Sequence, residues 1–163
     1  MVEFRVATNK DVDLLTKLSQ EIWNLHYINI LSKEQIDYML EKMYASDIIN
    51  EEINKGIIWK IVYYNNEPIG YFSYSMINEK QCKLHKIYIL PTFHGKGFGK
   101  SCITDVFEYT KNKNANEVIL YVNRFNEKAI KSYSKYGFKI LKEEDTKFGD
   151  FVLNDYVMKK ELN

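Results

Sequence analysis

The sequence has few of the residues that build disulfide frameworks or metal centres. Its 163 residues include only two cysteines, Cys82 and Cys102, which lack C-x-x-C spacing. Its three histidines lack the H-E-x-x-H spacing of a zinc site. Two cysteines suit a reducing compartment, so we expect a cytoplasmic protein. Because neither the cysteines nor the histidines have the spacing of metal ligands, we expect it to use no metal.

Long hydrophobic runs and an excess of one charge are also missing. No run approaches the roughly 18 apolar residues of a membrane span, and the opening MVEFRVATNKDVDLL has no apolar signal core. Lysine and arginine number 23 against 22 aspartates and glutamates, so an anionic ligand would need a local cluster of cations. We expect no membrane and no nucleic-acid partner. The length predicts one domain over residues 1–163.

Strand-like and helix-like segments alternate along the chain. VEFRVA predicts a strand, and Asn9 is the expected cap of a helix whose apolar stripe begins at Val12. Ser32 and Gln35 have capping-box spacing at the start of a second helix, and a further helical stretch ends at Gly56. The whole pattern predicts a three-layer α/β domain with a central mixed sheet flanked by helices, in the order β-α-α-β-β-β-α-β-α-β-β.

The segment HGKGFGKS, residues 94–101, lies between a predicted strand and a predicted helix. A Walker loop would need glycine at His94, and a dinucleotide fingerprint starting at Gly95 would need glycine at Lys100. What remains is G-x-G-x-G leading into a helix, where main-chain N–H groups and the helix dipole favour an anion. A pyrophosphate fits such a loop, with Lys96 and Lys100 at its rim.

Two motifs resemble those of the GCN5-related N-acetyltransferases, the GNAT family. Residues 94–99 match Q/R-x-x-G-x-G/A except that His94 replaces the Gln or Arg. About thirty residues on, NEKAIKSYSKYGF matches N-x-x-A-x-x-x-Y-x-x-x-G-F through Asn126, Tyr133 and Gly137. The resemblance covers essentially the whole chain and implies the mostly antiparallel sheet of that family. SKEQIDYMLEKMY and DFVLNDYVMKK further resemble a bacterial branch of small-amine or unassigned acetyltransferases.

The resemblance implies direct transfer of an acetyl group from acetyl-CoA to an amine in a ternary complex. It implies a cofactor site built from the main chain of Ile87 and Ile89 and from His94, Gly95, Lys96, Gly97, Phe98, Gly99, Lys100, Asn126 and Tyr133. Asn126 is also a candidate helix cap. Tyr133 is the expected general acid, with a core residue as the alternative. His85 is the candidate base, with a structural histidine as the alternative and with Glu79 or bulk water as other possibilities. Lys83 matches a position that the family also uses, but it would have to be neutral to act as a base.

The acceptor is expected to be a primary amine of a small, polyamine-like molecule or of a peptide. Candidate lining residues are Trp23, His26, Tyr27, Tyr38, Tyr121, Asn123 and Asp155. The alternatives are a non-catalytic acyl-CoA sensor or partner-binding module on the same fold, and a nucleotide-binding protein, which the broken Walker pattern opposes. The protein is expected to be a monomer or a homodimer.

Overall fold

The computed structural model describes residues 1–163, and its strands form one seven-stranded sheet in the order β1-β2-β3-β4-β5-β7-β6. β4 and β5 pair in parallel, whereas β1–β2, β2–β3, β5–β7 and β6–β7 pair antiparallel. The strands are β1 Val2–Val6, β2 Ile58–Tyr64, β3 Glu67–Met76, β4 Gln81–Ile89, β5 Glu117–Asn123, β6 Lys139–Phe148 and β7 Phe151–Glu161. The helices are α1 Val12–His26, α2 Lys33–Tyr44, α3 Ser46–Asn54, α4 Phe98–Asn112 and α5 Glu127–Lys135.

The α/β class and the mostly antiparallel sheet flanked by helices are confirmed. The predicted order needs one change, because three helices rather than two separate β1 from β2. The third, α3, is the helical stretch that the sequence placed before Gly56. None of the helices combines the length and the apolar character needed to cross a membrane.

The chain divides into two compact units. The first unit comprises Met1–Ser75 and Lys86–Cys102, and the second comprises Met76–His85 and Ile103–Asn163. Each unit has its own buried apolar residues. Those of the first include Leu15, Ile22, Ile36, Trp59, Tyr71 and Phe72, and those of the second include Cys82, Leu84, Val106, Val118, Leu120 and Met158.

Side-chain caps mark the start of the 3-10 turn before α1 and the start of α2. A short 3-10 turn precedes α1, and its cap is Thr8, which forms a capping box with Asp11. The expectation that Asn9 caps this helix is therefore wrong, and its amide instead donates to Asn50 Oδ1 at 2.6 Å. Ser32 does cap α2, because its hydroxyl oxygen accepts from the main-chain N–H of Gln35 at 3.1 Å.

The hairpin of β2 and β3 closes through a two-residue turn. Asn65 and Asn66 both have positive φ, 50° and 66°, as a type I′ turn requires. Asparagine tolerates this left-handed conformation better than most residues, which explains its place here. The turn sets the register of the two strands through Tyr64 and Glu67, which pair across it.

Candidate functional site

The glycine-rich loop of the first unit follows directly on the end of β4. After a 3-10 turn at Pro91–Phe93, His94 is extended, and Gly95 and Gly97 have φ values of 78° and 84°. No atom lies within 4 Å of a Cβ built at either glycine, so the positive φ rather than a lack of space demands glycine here. α4 then begins at Phe98. The N–H groups of its first turn lack acceptors within the helix, and they and the dipole favour an anion at this end.

The side chains of the loop differ in their environment. Lys96 and Lys100 are exposed, whereas the ring of Phe98 is buried, with its centroid 5.0 Å from that of Tyr64 and 6.4 Å from that of Phe93. Phe98 thus anchors the start of α4, and its main-chain N–H is the group that could meet a ligand. In the first turn of α4, the main-chain N–H and the hydroxyl of Ser101 both donate to Gly97 O.

The imidazole of His94 bonds the main chain of β4. Its Nε2 lies 2.7 Å from the carbonyl oxygen of Ile89. The sequence marked His94 as a departure from the motif, but no local pattern predicts this bond. Ile87 is half-buried and Ile89 is buried.

Aromatic residues of the first unit gather around the C-terminal end of α1. The hydroxyl groups of Tyr27 and Tyr88 lie 3.0 Å apart, and the Trp23 ring packs on Tyr27 at 4.4 Å and on Tyr88 at 5.6 Å. The ring of His26 contacts those of Tyr27, Tyr88 and His94 at 4.7, 6.4 and 6.2 Å. Trp23, His26 and Tyr27, three of the acceptor candidates, are therefore neighbours within this unit. Tyr38 lies apart, half-buried on α2 beneath Lys42.

Two further tyrosines, Tyr44 and Tyr71, lie deeper in the first unit and were not candidates from the sequence. Burial raises the pKa of both hydroxyl groups well above their ordinary range. Neither hydroxyl has a partner within hydrogen-bonding geometry, and the same holds for Trp23 Nε1. A phenol with a raised pKa is neutral near pH 7, so neither tyrosine is a candidate general base.

A buried lysine also escaped the sequence analysis. Lys86 on β4 lies with its Nζ 3.8 Å from Glu52 Oε1 and above the rings of Tyr44 and Trp59, at 5.4 and 5.3 Å. Trp59 Nε1 donates to the same carboxylate at 3.2 Å. The sequence does show a lysine within an apolar strand, which is a sign of a buried charge. Its partners, however, come from α2, α3 and β2, which are distant in the sequence.

In the second unit, α5 carries Asn126 and Tyr133. Asn126 is buried and caps the helix, with its Oδ1 accepting from the N–H of Ala129 at 3.4 Å. Tyr133 is half-buried, and its ring lies 5.9 Å from that of Phe138. The helix ends at Gly137, whose φ of 94° allows Phe138 N–H to bond Tyr133 O at 3.0 Å. The second motif thus forms one capped helix.

The remaining candidates of the second unit lie on β4, β5 and β7. Lys83 Nζ lies 4.3 Å from the ring centre of Tyr121, and burial lowers the pKa of this lysine. Burial also raises the pKa of Asp155 to about 6, against the opposing effect of Arg124. Asn123 pairs with Asp155 across β5 and β7, and His85 is half-buried on β4. Glu79 is exposed in the turn before β4.

Comparison with known proteins gives consistent results. A sequence model of the Acetyltransferase (GNAT) family matches residues 17–138, three quarters of the chain. The spermidine N(1)-acetyltransferase of Thermoplasma acidophilum is 27% identical over 157 residues, which cover 93% of this chain and 95% of that protein.

Solved structures extend the likeness to the fold. The PaiA N-acetyltransferase from Thermoplasma acidophilum in complex with coenzyme A has a TM-score of 0.85 and 26% identity, and 99% of each chain is covered. A GCN5-related N-acetyltransferase from Rhodopseudomonas palustris has a TM-score of 0.82 at 14% identity, with 98% of this chain and 95% of that one covered. The chain therefore belongs to the GNAT family and is an N-acetyltransferase that uses acetyl-CoA.

Proposed function

We propose that this N-acetyltransferase acetylates a primary amine of a small, polyamine-like molecule, with a peptide amine as the second class of acceptor. The observation that carries this proposal is the match, over nearly the whole of both chains, to a relative named spermidine N(1)-acetyltransferase. The rings of Trp23, Tyr27 and Tyr88 support it, because the faces of such rings attract cationic amines.

The glycine-rich loop is the proposed cradle of the CoA pyrophosphate. The main chain of residues 95–99 and the first turn of α4 would donate N–H groups, while Lys96 and Lys100 would neutralise charge from the exposed rim. The main chain of Ile87 and Ile89 would pair with the pantetheine arm as an added strand would. A main-chain N–H of residues 87–89 would stabilise the oxygen that gains negative charge during acyl transfer, since the N–H of Leu90 already bonds Ile69 O.

Asn126 has two compatible roles in this proposal. Its Oδ1 caps α5, and an asparagine amide also carries an N–H₂ group that could donate to the pantetheine arm. α5 offers further support, because none of its residues is buried although Ala129, Ile130 and Tyr133 form an apolar stripe. An apolar stripe that the protein leaves partly uncovered suits contact with a ligand.

Acetyl transfer also requires two proton movements. An alkylamine of pKa near 10.4 must be neutral to attack, and at pH 7 this costs roughly 4 to 5 kcal/mol. His85 is the proposed base, directly or through water, because histidine is the side chain whose unperturbed pKa lies closest to neutral pH. Tyr133 is the proposed acid that protonates the departing sulfur. The attack is direct, so both substrates must be bound together.

The first test measures release of the CoA thiol from acetyl-CoA with a panel of acceptors. The panel contains spermidine, spermine, putrescine, single amino acids and a short peptide with a free N-terminus. We expect the polyamines to give the highest kcat/KM, with mass spectrometry showing one added acetyl group per product. Release with the peptide alone would move the proposal to peptide amines, and no release with any amine would refute the substrate class.

The second test assigns the acid. Tyr133→Phe should lower kcat by about 10²-fold or more while the KM for acetyl-CoA changes little, because a general acid acts in the transition state. Tyr136→Phe, at the end of the same helix, is the matched control. Equal kcat for the two variants would return Tyr133 to a packing role.

A third test concerns the base. His85→Gln should abolish the acidic limb of the pH profile of kcat/KM, and an unchanged limb would exclude His85 as the base.

A further inference from the structure

The side chain of His94 makes a bond that the proposed chemistry does not use. Its Nε2 lies 2.7 Å from Ile89 O. A carbonyl oxygen only accepts, so Nε2 carries the hydrogen and donates. The bond joins the first residue of the glycine-rich loop to the last residue of β4, across the intervening 3-10 turn.

Hydrogen bonds and a ring contact hold both partners of this bond in place. The main-chain N–H of Leu90 bonds Ile69 O at 2.8 Å, which fixes the end of β4 against β3. The main-chain N–H of His94 bonds Pro91 O at 3.1 Å. The ring of His26 on α1 lies edge-on to that of His94, with an interplanar angle of 73° and centroids 6.2 Å apart. The imidazole is therefore held by a strand end and a helix end.

The chain just beyond His94 has the opposite character. Gly95 and Gly97 have no side chain to hold them, and glycine loses more conformational freedom on ordering than any other residue. A donor fixed at the first residue of the loop limits the conformations that the following main chain can adopt. Binding of an anion then requires less ordering of the loop.

We infer that His94 is a positioning residue for the phosphate-binding loop, acting through its Nε2–H bond to Ile89 O rather than by contact with the ligand. This inference rests on the proposed role of residues 95–99 as the pyrophosphate cradle. Affinity for ligands that contain the pyrophosphate of CoA should therefore depend on a donor at this position. Affinity for the pantetheine portion alone should depend on that donor less.

Three substitutions separate the donor from the ring. His94→Gln places an amide N–H₂ at a reach similar to that of Nε2, His94→Asn carries the same group on a shorter side chain, and His94→Phe keeps a ring but has no donor. We expect His94→Gln to bind CoA within about threefold of the wild type. His94→Asn and His94→Phe should bind CoA about five- to tenfold more weakly, as expected for loss of one hydrogen bond.

The readout compares two ligands by isothermal titration calorimetry of the full chain. CoA contains the pyrophosphate, and pantetheine lacks it. The inference predicts that the affinity of His94→Phe falls by a clearly larger factor for CoA than for pantetheine. A general loss of structure would instead lower both affinities together, which would overturn the inference.

Other results would also overturn the inference. If His94→Phe binds CoA as tightly as the wild type, or if His94→Gln is as weak as His94→Phe, the Nε2 donor has no positioning role. If wild-type protein binds CoA no more tightly than pantetheine, the pyrophosphate cradle itself fails, and the inference falls with it. This last result concerns the wild type alone, so failure of the proposed cradle is distinguishable from failure of the role of His94.

Discussion

Gly70 lies where β3 passes so close to β4 that no side chain fits between them. A Cβ at this position would lie 2.3 Å from Tyr88 O, 2.8 Å from Ile89 Cδ1 and 3.0 Å from Ile89 Cα. Contacts under 3.0 Å essentially never occur for a real Cβ, so Gly70→Ala requires the strands to separate by at least about 0.7 Å. Two of the three contacts are to main-chain atoms, so rotation of a side chain cannot relieve them.

The displacement would fall on the part of β4 that the proposed mechanism uses. Ile89 supplies main chain to the proposed pantetheine site and accepts the bond from His94. Overpacking of this kind costs about 1–3 kcal/mol of folding free energy. A misplacement of reacting groups by about 1 Å costs up to about 10²-fold in rate. We expect Gly70→Ala to fold, to lose stability in that range and to lose about 10- to 100-fold in kcat/KM for acetyl-CoA.

Urea unfolding and steady-state kinetics with acetyl-CoA measure the two effects. Gly99→Ala is the control for stability alone, because nothing lies within 4 Å of its Cβ and its φ is not positive. That change in the first turn of α4 should leave stability equal or raise it by up to about 1 kcal/mol. Wild-type stability and wild-type kinetics in Gly70→Ala would refute the close approach of β3 and β4.

Two further predictions concern buried charge. Burial raises the pKa of Asp155 from 3.8 to about 6, so the native protein binds the carboxyl proton of Asp155 more tightly than the unfolded chain does. Stability therefore falls as the pH rises from about 4 to about 6. Asp155→Asn should thus raise the free energy of unfolding by about 1 kcal/mol at pH 8, and this gain should shrink toward pH 4. Urea unfolding measures both values, and equal gains at the two pH values would contradict the raised pKa. Glu52→Gln should cost about 2–4 kcal/mol, since it removes the carboxylate beside the buried ammonium of Lys86, and Lys86→Met in the same background should recover part of that loss. A double-mutant cycle with no coupling between the two positions would show that the pair does not interact.

Features that depend on neighbours in the sequence could be predicted. Ser32 caps α2 through the N–H group three residues on, and Gly137 ends α5, because both contacts are made within one helical turn. Asn65 and Asn66 are an equally local signal for the β2–β3 turn, because asparagine tolerates positive φ. The glycine-rich loop was recognisable because positive φ and a following helix leave a pattern in the sequence itself.

Features that depend on distant parts of the chain could not be predicted. Thr8 and Asn9 are both good cap residues, and only the capping box with Asp11 decided between them. Lys86 is buried because α3 supplies a carboxylate, which the sequence of β4 does not show. Tyr88 meets Tyr27, at the end of α1, through a contact across 61 residues. The identity of the side chains was visible, but their partners were set by the packing of helices on the sheet.

The position of β1 at the edge of the sheet has a consequence for the order of folding. β2 and β3 are joined by a two-residue turn, and such hairpins close within microseconds. β1 pairs only with β2, from Val2↔Tyr64 to Val6↔Lys60, and the whole of α1, α2 and α3 lies between the two strands. Closing so long a loop becomes favourable only once the helices have shortened it by packing. We therefore expect β1 to join the sheet late, after the hairpin and the helices, and its amides to gain protection last in pulse-labelled hydrogen exchange.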